Sequence, residues 1–531
     1  MKAQINHYWA LGCFYVALLF FRGYLFGGSD HVDLLSYTRY LMQPDAYPHD
    51  FFVQQLAEHT PNERTALAWL LAQTGSALEW VCFGLHAAAT LALLAALYRL
   101  AGVCIQRSVL KWAALFILFF PLSFFSLGGN DVYYNLLINS SLAKALGAWA
   151  FWCALQRQWA GWAALCAVAA VLHPVAGGQV FLLSAAGSIA AGWSGGIRAL
   201  RGFGVAATAV LAVVAPYGWW LFSQYNRAQI APDLLYEMMD FRLAHHFIPA
   251  RMGSINYGLL VPLFTVGVLF FWQKNRFILG VFAGSLLPLL VYIAVTEGLH
   301  SPALFATQWF KTTIWIKFFS VVAVVSFMER FLTQKEIFQL QHWHFWEKKH
   351  RFAENAGLFL VAGSLLALMY THPHGLVGKR AYQLPFSTWK NDPEVDIAQQ
   401  AAQLTPPDAV FVQPGSVSAF KYFSQRSSYV DIKAVVHHQA GMAAWYERVG
   451  KVYGLHHANR DFGQSLSAQS DAAFGQLTTR DFLALRPLGV THILAFRSPV
   501  LPFPVVAQND VFVIYRLTLP GLSLAKAPQP E

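Results

Sequence analysis

The chemistry-bearing residues of this chain cluster in a few polar segments between long apolar runs. The first is Gly28-Ser29-Asp30-His31-Val32-Asp33, with Asp50 following in Tyr47-Pro48-His49-Asp50. Carboxylates spaced this way can take a proton from a hydroxyl acceptor or hold a divalent cation. Asp30 also precedes an amphipathic helical pattern, so it equally suits a helix N-cap. The second segment is Phe241-Arg242-Leu243-Ala244-His245-His246, with Arg251 just beyond. Arg grips a phosphate by paired hydrogen bonds, and His donates to it or shuttles a proton. Lys311 adds positive charge, Lys317 lies deeper in the same apolar run, and His173-Pro174 marks a helix end. An ionisable group within an apolar run is a functional candidate by default. His173 alone reads first as a cap.

These groups need elements to hold them, and composition says what kind. The 531 residues are 56% hydrophobic and 12% charged, with a mean hydropathy of +0.41. A soluble chain carries roughly twice that charge fraction. The net charge of +10 lies largely in short loops between apolar runs, where the positive-inside rule accounts for it. It forms no basic groove with exposed aromatics, so no nucleic-acid partner is expected. The five cysteines lie in or beside apolar runs without a CxxC pair, which indicates neither a disulfide framework nor a thiolate zinc site. No HExxH spacing, P-loop, dinucleotide fingerprint or GxSxG elbow occurs.

Read as alternating helices, the apolar runs give about eleven spans. Arg99, Arg107, Lys111, Arg157, Arg198, Arg201, Lys274, Arg276 and Arg330 fall on one side and the Asp- and His-rich segments on the other. The charge bias predicts a cytoplasmic N-terminus, with an eleventh span over residues 357–370 exporting everything after it. Residues 1–384 are expected to form a mainly α polytopic bundle with long exterior loops at 27–77 and 223–257. The helical patterns within the first loop predict helices lying flat at the interface. Residues 385–531 are expected to form a soluble α/β domain with about four strands, at 409–412, 429–432, 492–496 and 511–515. The expected location is a bacterial inner (plasma) membrane, with the C-terminal domain periplasmic or extracellular.

The layout resembles the GT-C class of membrane glycosyltransferases: an acidic first loop, a second exterior loop, many spans and a soluble C-terminal domain. The resemblance implies a polyprenyl-phosphate or -pyrophosphate sugar donor, with Asp30, Asp33 or Asp50 as base or acceptor-positioning group. Arg242, His245, His246, Arg251, Lys311 and His173 are then candidates for binding the lipid phosphate or substrate. Trp219-Trp220 is followed by Leu221, so the Trp-Trp-Asp signature of the oligosaccharyltransferase branch is missing. The metal set is unknown; a divalent cation on the carboxylates is one option. Expected partners are the lipid-linked donor and membrane lipids. The same charged groups would also suit a transporter or flippase, or a non-catalytic subunit of an envelope-glycan assembly.

Overall fold

The computed structural model describes residues 2–193, 196–225, 227, 230–333 and 392–518. The chain is mainly helical and divides into two compact units. The first comprises residues 1–24, 79–223 and 231–384, and the second residues 25–78, 224–230 and 385–531.

The first fourteen helices, numbered along the chain, begin with α1 (Lys2–Arg22), α2 (His31–Met42), α3 (Phe51–Glu58) and α4 (Thr65–Ala72). Next come α5 (Leu78–Ala101), α6 (Ser108–Phe119), α7 (Asn139–Leu155), α8 (Trp159–Leu172) and α9 (Pro174–Gly192). Then follow α10 (Gly196–Tyr225), α11 (Pro232–Phe247), α12 (Ser254–Phe271), α13 (Arg276–Ile293) and α14 (Thr313–Thr333).

Six helical stretches among the described residues have the length and apolarity to cross a membrane: Gly75–Ala101, Pro174–Gly192, Leu200–Tyr225, Ser254–Phe271, Arg276–Gly298 and Phe305–Phe331. Each expected span before residue 333 falls on a helix, but several are too short or too polar to qualify. Chain chemistry explains why. Pro121 ends α6, since proline lacks the N–H that would continue it, and the chain tightens into a 3-10 turn, Pro121–Phe124. His173-Pro174 ends α8 in the same way, and α7 carries Lys144 inside its apolar run. The span expected at 357–370 lies outside the described residues.

Burial grades these helices. In the most apolar 18-residue part of Phe305–Phe331, 83% of the residues are buried, so it lies in the interior of the helical unit, whereas in that of Leu200–Tyr225 only 11% are, and it presents apolar side chains outward. Small residues permit a close approach between α9 and α13. A Cβ on Gly280 would meet the Ala186 carbonyl at 2.6 Å and the Gly187 Cα at 2.9 Å.

The second unit contains a five-stranded sheet of order β2-β1-β3-β5-β4. Its strands are β1 (Val410–Val412), β2 (Ser427–Ser428), β3 (His492–Phe496), β4 (Val505–Gln508) and β5 (Phe512–Arg516). The β2-β1-β3 pairs are parallel and the β3-β5-β4 pairs antiparallel. Ile397, Ala401, Phe411, Phe420, Leu494 and Ile514 form its core. The strand expected over 429–432 ends early. Tyr429 still donates to the Phe411 carbonyl, but the Asp431 carbonyl turns to accept from the Trp445 indole and its side chain turns to Lys421. The short β4 run carries a bulge between Val505 and Ala507, which blurs the alternation that would reveal it.

Residues 25–78, expected as an exterior loop with flat interfacial helices, fold within this second unit. Helix α2 buries Val32, Leu34, Leu35 and Tyr37 completely or nearly so, and α4 buries Leu67, Ala68 and Leu71. These faces are used in protein packing, while Trp69 and Leu70 of α4 stay 60% and 47% exposed.

Candidate functional site

In the helical unit the polar chemistry converges on the loop Gly128-Gly129-Asn130-Asp131. Both glycines have positive φ, +73° and +57°, and neither tolerates a side chain. A Cβ at Gly128 would meet the Phe310 Cβ at 2.7 Å, and one at Gly129 would meet His245 Cδ2 at 2.6 Å and His246 Cε1 at 2.8 Å. Glycine lets this backbone pass flush against helix α11 and the turn before α14.

Cations surround the loop. Lys144, 2% exposed on α7, donates to Asn130 Oδ1 at 2.7 Å and to the Asp131 carbonyl. Its Nζ lies 4.1 Å from the Tyr134 ring centroid. Lys317 Nζ stands 3.6 Å from Asp131 Oδ1 and donates to the carbonyls of Leu122 and Phe125 at 3.2 and 3.0 Å. Arg22 lies 3.8 Å from Asp131 Oδ2. Asn130 donates to the Lys311 carbonyl at 3.2 Å. Asp131 Oδ2 has no hydrogen-bond partner among the described residues. The Asp131 carboxylate therefore pairs with two cations, Lys317 and Arg22, while Lys144 holds the same loop through its backbone and Asn130, and Lys311 is adjacent.

The segment predicted to bind phosphate lies on this loop. His246 Nδ1 is 2.7 Å from the Gly128 carbonyl. A carbonyl only accepts, so Nδ1 carries the proton and Nε2 keeps the lone pair in the neutral ring. Burial drives the His246 pKa well below its ordinary value, and Lys311, His245 and Arg242 push the same way. His245 stacks beside it at a centroid distance of 4.0 Å. Both follow a break in α11 at Leu243, whose φ/ψ is non-helical. The structure thus brings together Arg242, His245, His246 and Lys311. Arg251 is engaged elsewhere, clasping Asp240 through Nε and one terminal nitrogen, each at 3.2 Å. His173 caps α9, its Nδ1 accepting from Ala176 N–H at 3.1 Å. Sequence reasoning missed Asp131, Lys144 and Arg22. The available signal was the double glycine before Asn-Asp, followed by a lysine inside an apolar helix.

The predicted carboxylates all belong to the second unit. Asp50 is fully buried. It caps α3 by accepting from Val53 N–H at 2.9 Å, accepts from Ser428 N–H at 2.8 Å and pairs with Lys421 at 2.9 and 3.0 Å. Lys421 also binds Asp431, whose other oxygen accepts from Gln413 at 2.9 Å. Asp50 is therefore a structural tie with no free face for an acceptor. Asp30 occupies the N-cap position of α2 but makes no capping hydrogen bond. Its side chain is 51% exposed, with Lys433 at 3.4 Å. Asp33 pairs with Arg64 at 2.9 Å, while its Oδ1 has no partner among the described residues. Glu63 shares Arg64 and lies 3.0 Å from His437 Nδ1. Burial alone would raise the Glu63 carboxyl; Arg64 and His437 outweigh it and hold the group well below the usual carboxylate range.

For a metal, no group of three or more His, Cys, Asp or Glu among the described residues is arranged to hold an ion. No curated protein matches the chain significantly. Residues 392–452 match the profile of a domain of unknown function, DUF6798. That stretch contains Lys421, Asp431, His437 and His438, so the match falls on the buried ion tie and the histidines beside Glu63.

Proposed function

We propose that the protein is a membrane transferase that moves a sugar or related group from a polyprenyl-phosphate-type lipid to an acceptor on the non-cytoplasmic side. The observation that supports this reading is the cluster of cationic side chains at Gly128–Asp131, where Arg22 and Lys317 pair with Asp131, Lys144 donates to the same loop, and Lys311 and His246 lie against it. Such a site suits a phosphate whose charge grows as the glycosidic oxygen leaves. Preorganised donors stabilise that charge more in the transition state than in the bound lipid. His246 Nε2 offers a proton acceptor in the same unit, kept neutral by its surroundings. Asp30 and Asp33, neither of them a capping group, are the acidic alternatives for acceptor activation.

Turnover of a polyprenyl-phosphate-linked sugar in membranes tests the assignment, with protein level checked for each variant. Lys311→Gln and Arg242→Gln are expected to raise the KM for the lipid donor and lower kcat. Loss of the general base, through His246→Gln, Asp30→Asn or Asp33→Asn, is expected to lower kcat by roughly 10²-fold for the group that acts. Lys311→Gln also removes a charge that depresses the His246 pKa. If His246 is the base, the acid limb of the pH profile must move to higher pH. Full turnover in all three base variants and in the Asp30/Asp33 double variant would remove the catalytic roles. A lipid-reorientation activity that needs Lys311 and Arg242, without sugar transfer, would make the protein a flippase.

A further inference from the structure

A second cationic site lies in the helical unit, away from the loop just described. Lys144 sits near the start of α7, and this cavity opens at that helix's other end, beside Ala154 and Leu155. The separation along the axis is about 15 Å at 1.5 Å per residue. The cavity has a volume of about 310 Å³, and its lining includes Arg157, Trp159, Ser188, Lys274, Asn275 and Arg276. The three cations come from loops that the charge pattern expects to face the cytoplasm.

Several features mark this as a built site. Among the described residues no carboxylate pairs with Arg157, Lys274 or Arg276; the Lys274 ammonium lies over the Phe270 ring, 5.3 Å from its centroid. All three are solvent-exposed, so water screens their mutual repulsion, but an anion seated in the hollow would be attracted by each of them. Arg157 holds the left-handed position, φ +55°, of the cap that ends α7, with Gln158 N–H donating to the Cys153 carbonyl at 2.8 Å and Arg157 N–H to the Ala154 carbonyl at 3.1 Å. The 18-residue helix α13 starts at the cavity; Asn275 caps it by accepting from Ile278 N–H at 3.1 Å. The first N–H groups of that helix add positive potential. Trp159 is held edge-on against Phe203 at 5.7 Å, and Gly202 leaves room for its ring, since a Cβ there would lie 2.7 Å from Trp159 Cδ1.

We propose that this cavity binds a phosphate ester, the headgroup of an anionic phospholipid, between α7, α9 and α13. Arg157 and Arg276 supply planar forks for phosphate oxygens, Lys274 a mobile point charge, and Trp159 an amphipathic wall. The site does not depend on the transferase reading. It would fix the helix ends in the cytoplasmic leaflet whatever reaction the other face performs.

The test uses the full chain in detergent micelles doped with phosphatidylglycerol or phosphatidylcholine, and separately with inorganic phosphate. Bound lipid is counted by native mass spectrometry, and hydrogen exchange is followed over residues 154–160 and 272–278. Phosphatidylglycerol is expected to bind and protect both segments. The triple variant Arg157→Gln, Lys274→Gln, Arg276→Gln should weaken that binding by about tenfold or more, because several charge-assisted bonds are lost. All three side chains are solvent-exposed, so the variant is expected to fold; Arg99→Gln, a cation outside the cavity, serves as the charge control. Equal protection by inorganic phosphate would identify the free ion as a sufficient ligand for the same site. Protection by none of these probes, equal binding of phosphatidylcholine, or unchanged binding in the triple variant would overturn the proposal.

Discussion

Two buried charge clusters, one in each unit, solve opposite problems. In the second unit one lysine, Lys421, lies between two carboxylates, Asp50 and Asp431, all essentially inaccessible. Every oxygen of the two carboxylates is bonded, to Lys421, Val53, Ser428 or Gln413. In the helical unit the ratio inverts: one carboxylate, Asp131, pairs with Arg22 and Lys317 while Lys144 bonds its backbone carbonyl, and one carboxylate oxygen has no hydrogen-bond partner among the described residues. A satisfied cluster fixes a fold and has nothing left to offer a ligand. An unbalanced one keeps a demand that a substrate anion can meet. The difference separates buried charge that holds structure from buried charge that can recognise something.

The largest expected effect breaks the satisfied cluster. Lys421→Met leaves two buried carboxylates without their cation and is expected to destabilise the second unit by about 3–5 kcal/mol. Denaturant titration of the full chain, read by hydrogen exchange over residues 410–432, measures it. A loss below about 1 kcal/mol would mean that the tie is not the structural element described here.

A smaller effect concerns pH in the same unit. His438 accepts from Gly441 N–H and stacks on His59 at 3.9 Å; burial, and then His59, lower its pKa to about 4. His492 is lowered to about 4 as well, by burial and then by Arg516 and Arg426. Between the ordinary value of 6.5 and 4 the unfolded chain binds the protons that the folded chain refuses. Stability is therefore complete above 6.5 and falls as pH drops toward 4. Protection factors over residues 438–453, taken relative to the intrinsic exchange rate at each pH, should fall as pH drops through that window, and His438→Asn, which retains an N-cap side chain, should flatten the fall. A pH-independent profile between 6.5 and 4 would contradict the burial argument.

The smallest effects separate carboxylates and hydroxyls that cap helices from those that do not. Ser465 caps the helix Leu466–Phe474 by accepting from Ala468 N–H at 3.1 Å, so Ser465→Ala should cost about 1 kcal/mol. Asp30 caps nothing and is half exposed, so Asp30→Ala should change stability by less than about 0.5 kcal/mol. A cost at Asp30 equal to that at Ser465, measured in the same unfolding assay, would return Asp30 to a capping role and weaken its candidacy in chemistry.

Much of the scaffold was legible in the residues. Apolar runs located ten of the helices through α14 and amphipathic patterns located α2 and α4, because a long apolar run has few other ways to satisfy its backbone; α3 and α11, short and mixed in polarity, were not read from the sequence. The runs at 409–412, 492–496 and 511–515 located three of the five strands. The His245-His246 pair with Arg242 and Lys311 was named from composition and side of the chain; the fold sets His245, His246 and Lys311 against one loop, with Arg242 near His246. What failed did so for local reasons: a two-residue strand at Ser427–Ser428 and a bulged β4 carry too little periodicity to be read.

Partner choice was decided by tertiary structure alone. Asp50 looked like one more loop carboxylate, and only the approach of Lys421, 371 residues away in sequence, turns it into a buried tie. Asp131 looked like part of a turn until Lys144, Lys317 and Arg22 closed around it from three different helices. Hydrophobic periodicity is a property of neighbours along the chain, so sequence carries it openly. Charge balance is a property of neighbours in space, and a carboxylate's role depends on how many cations the fold brings within a few ångströms.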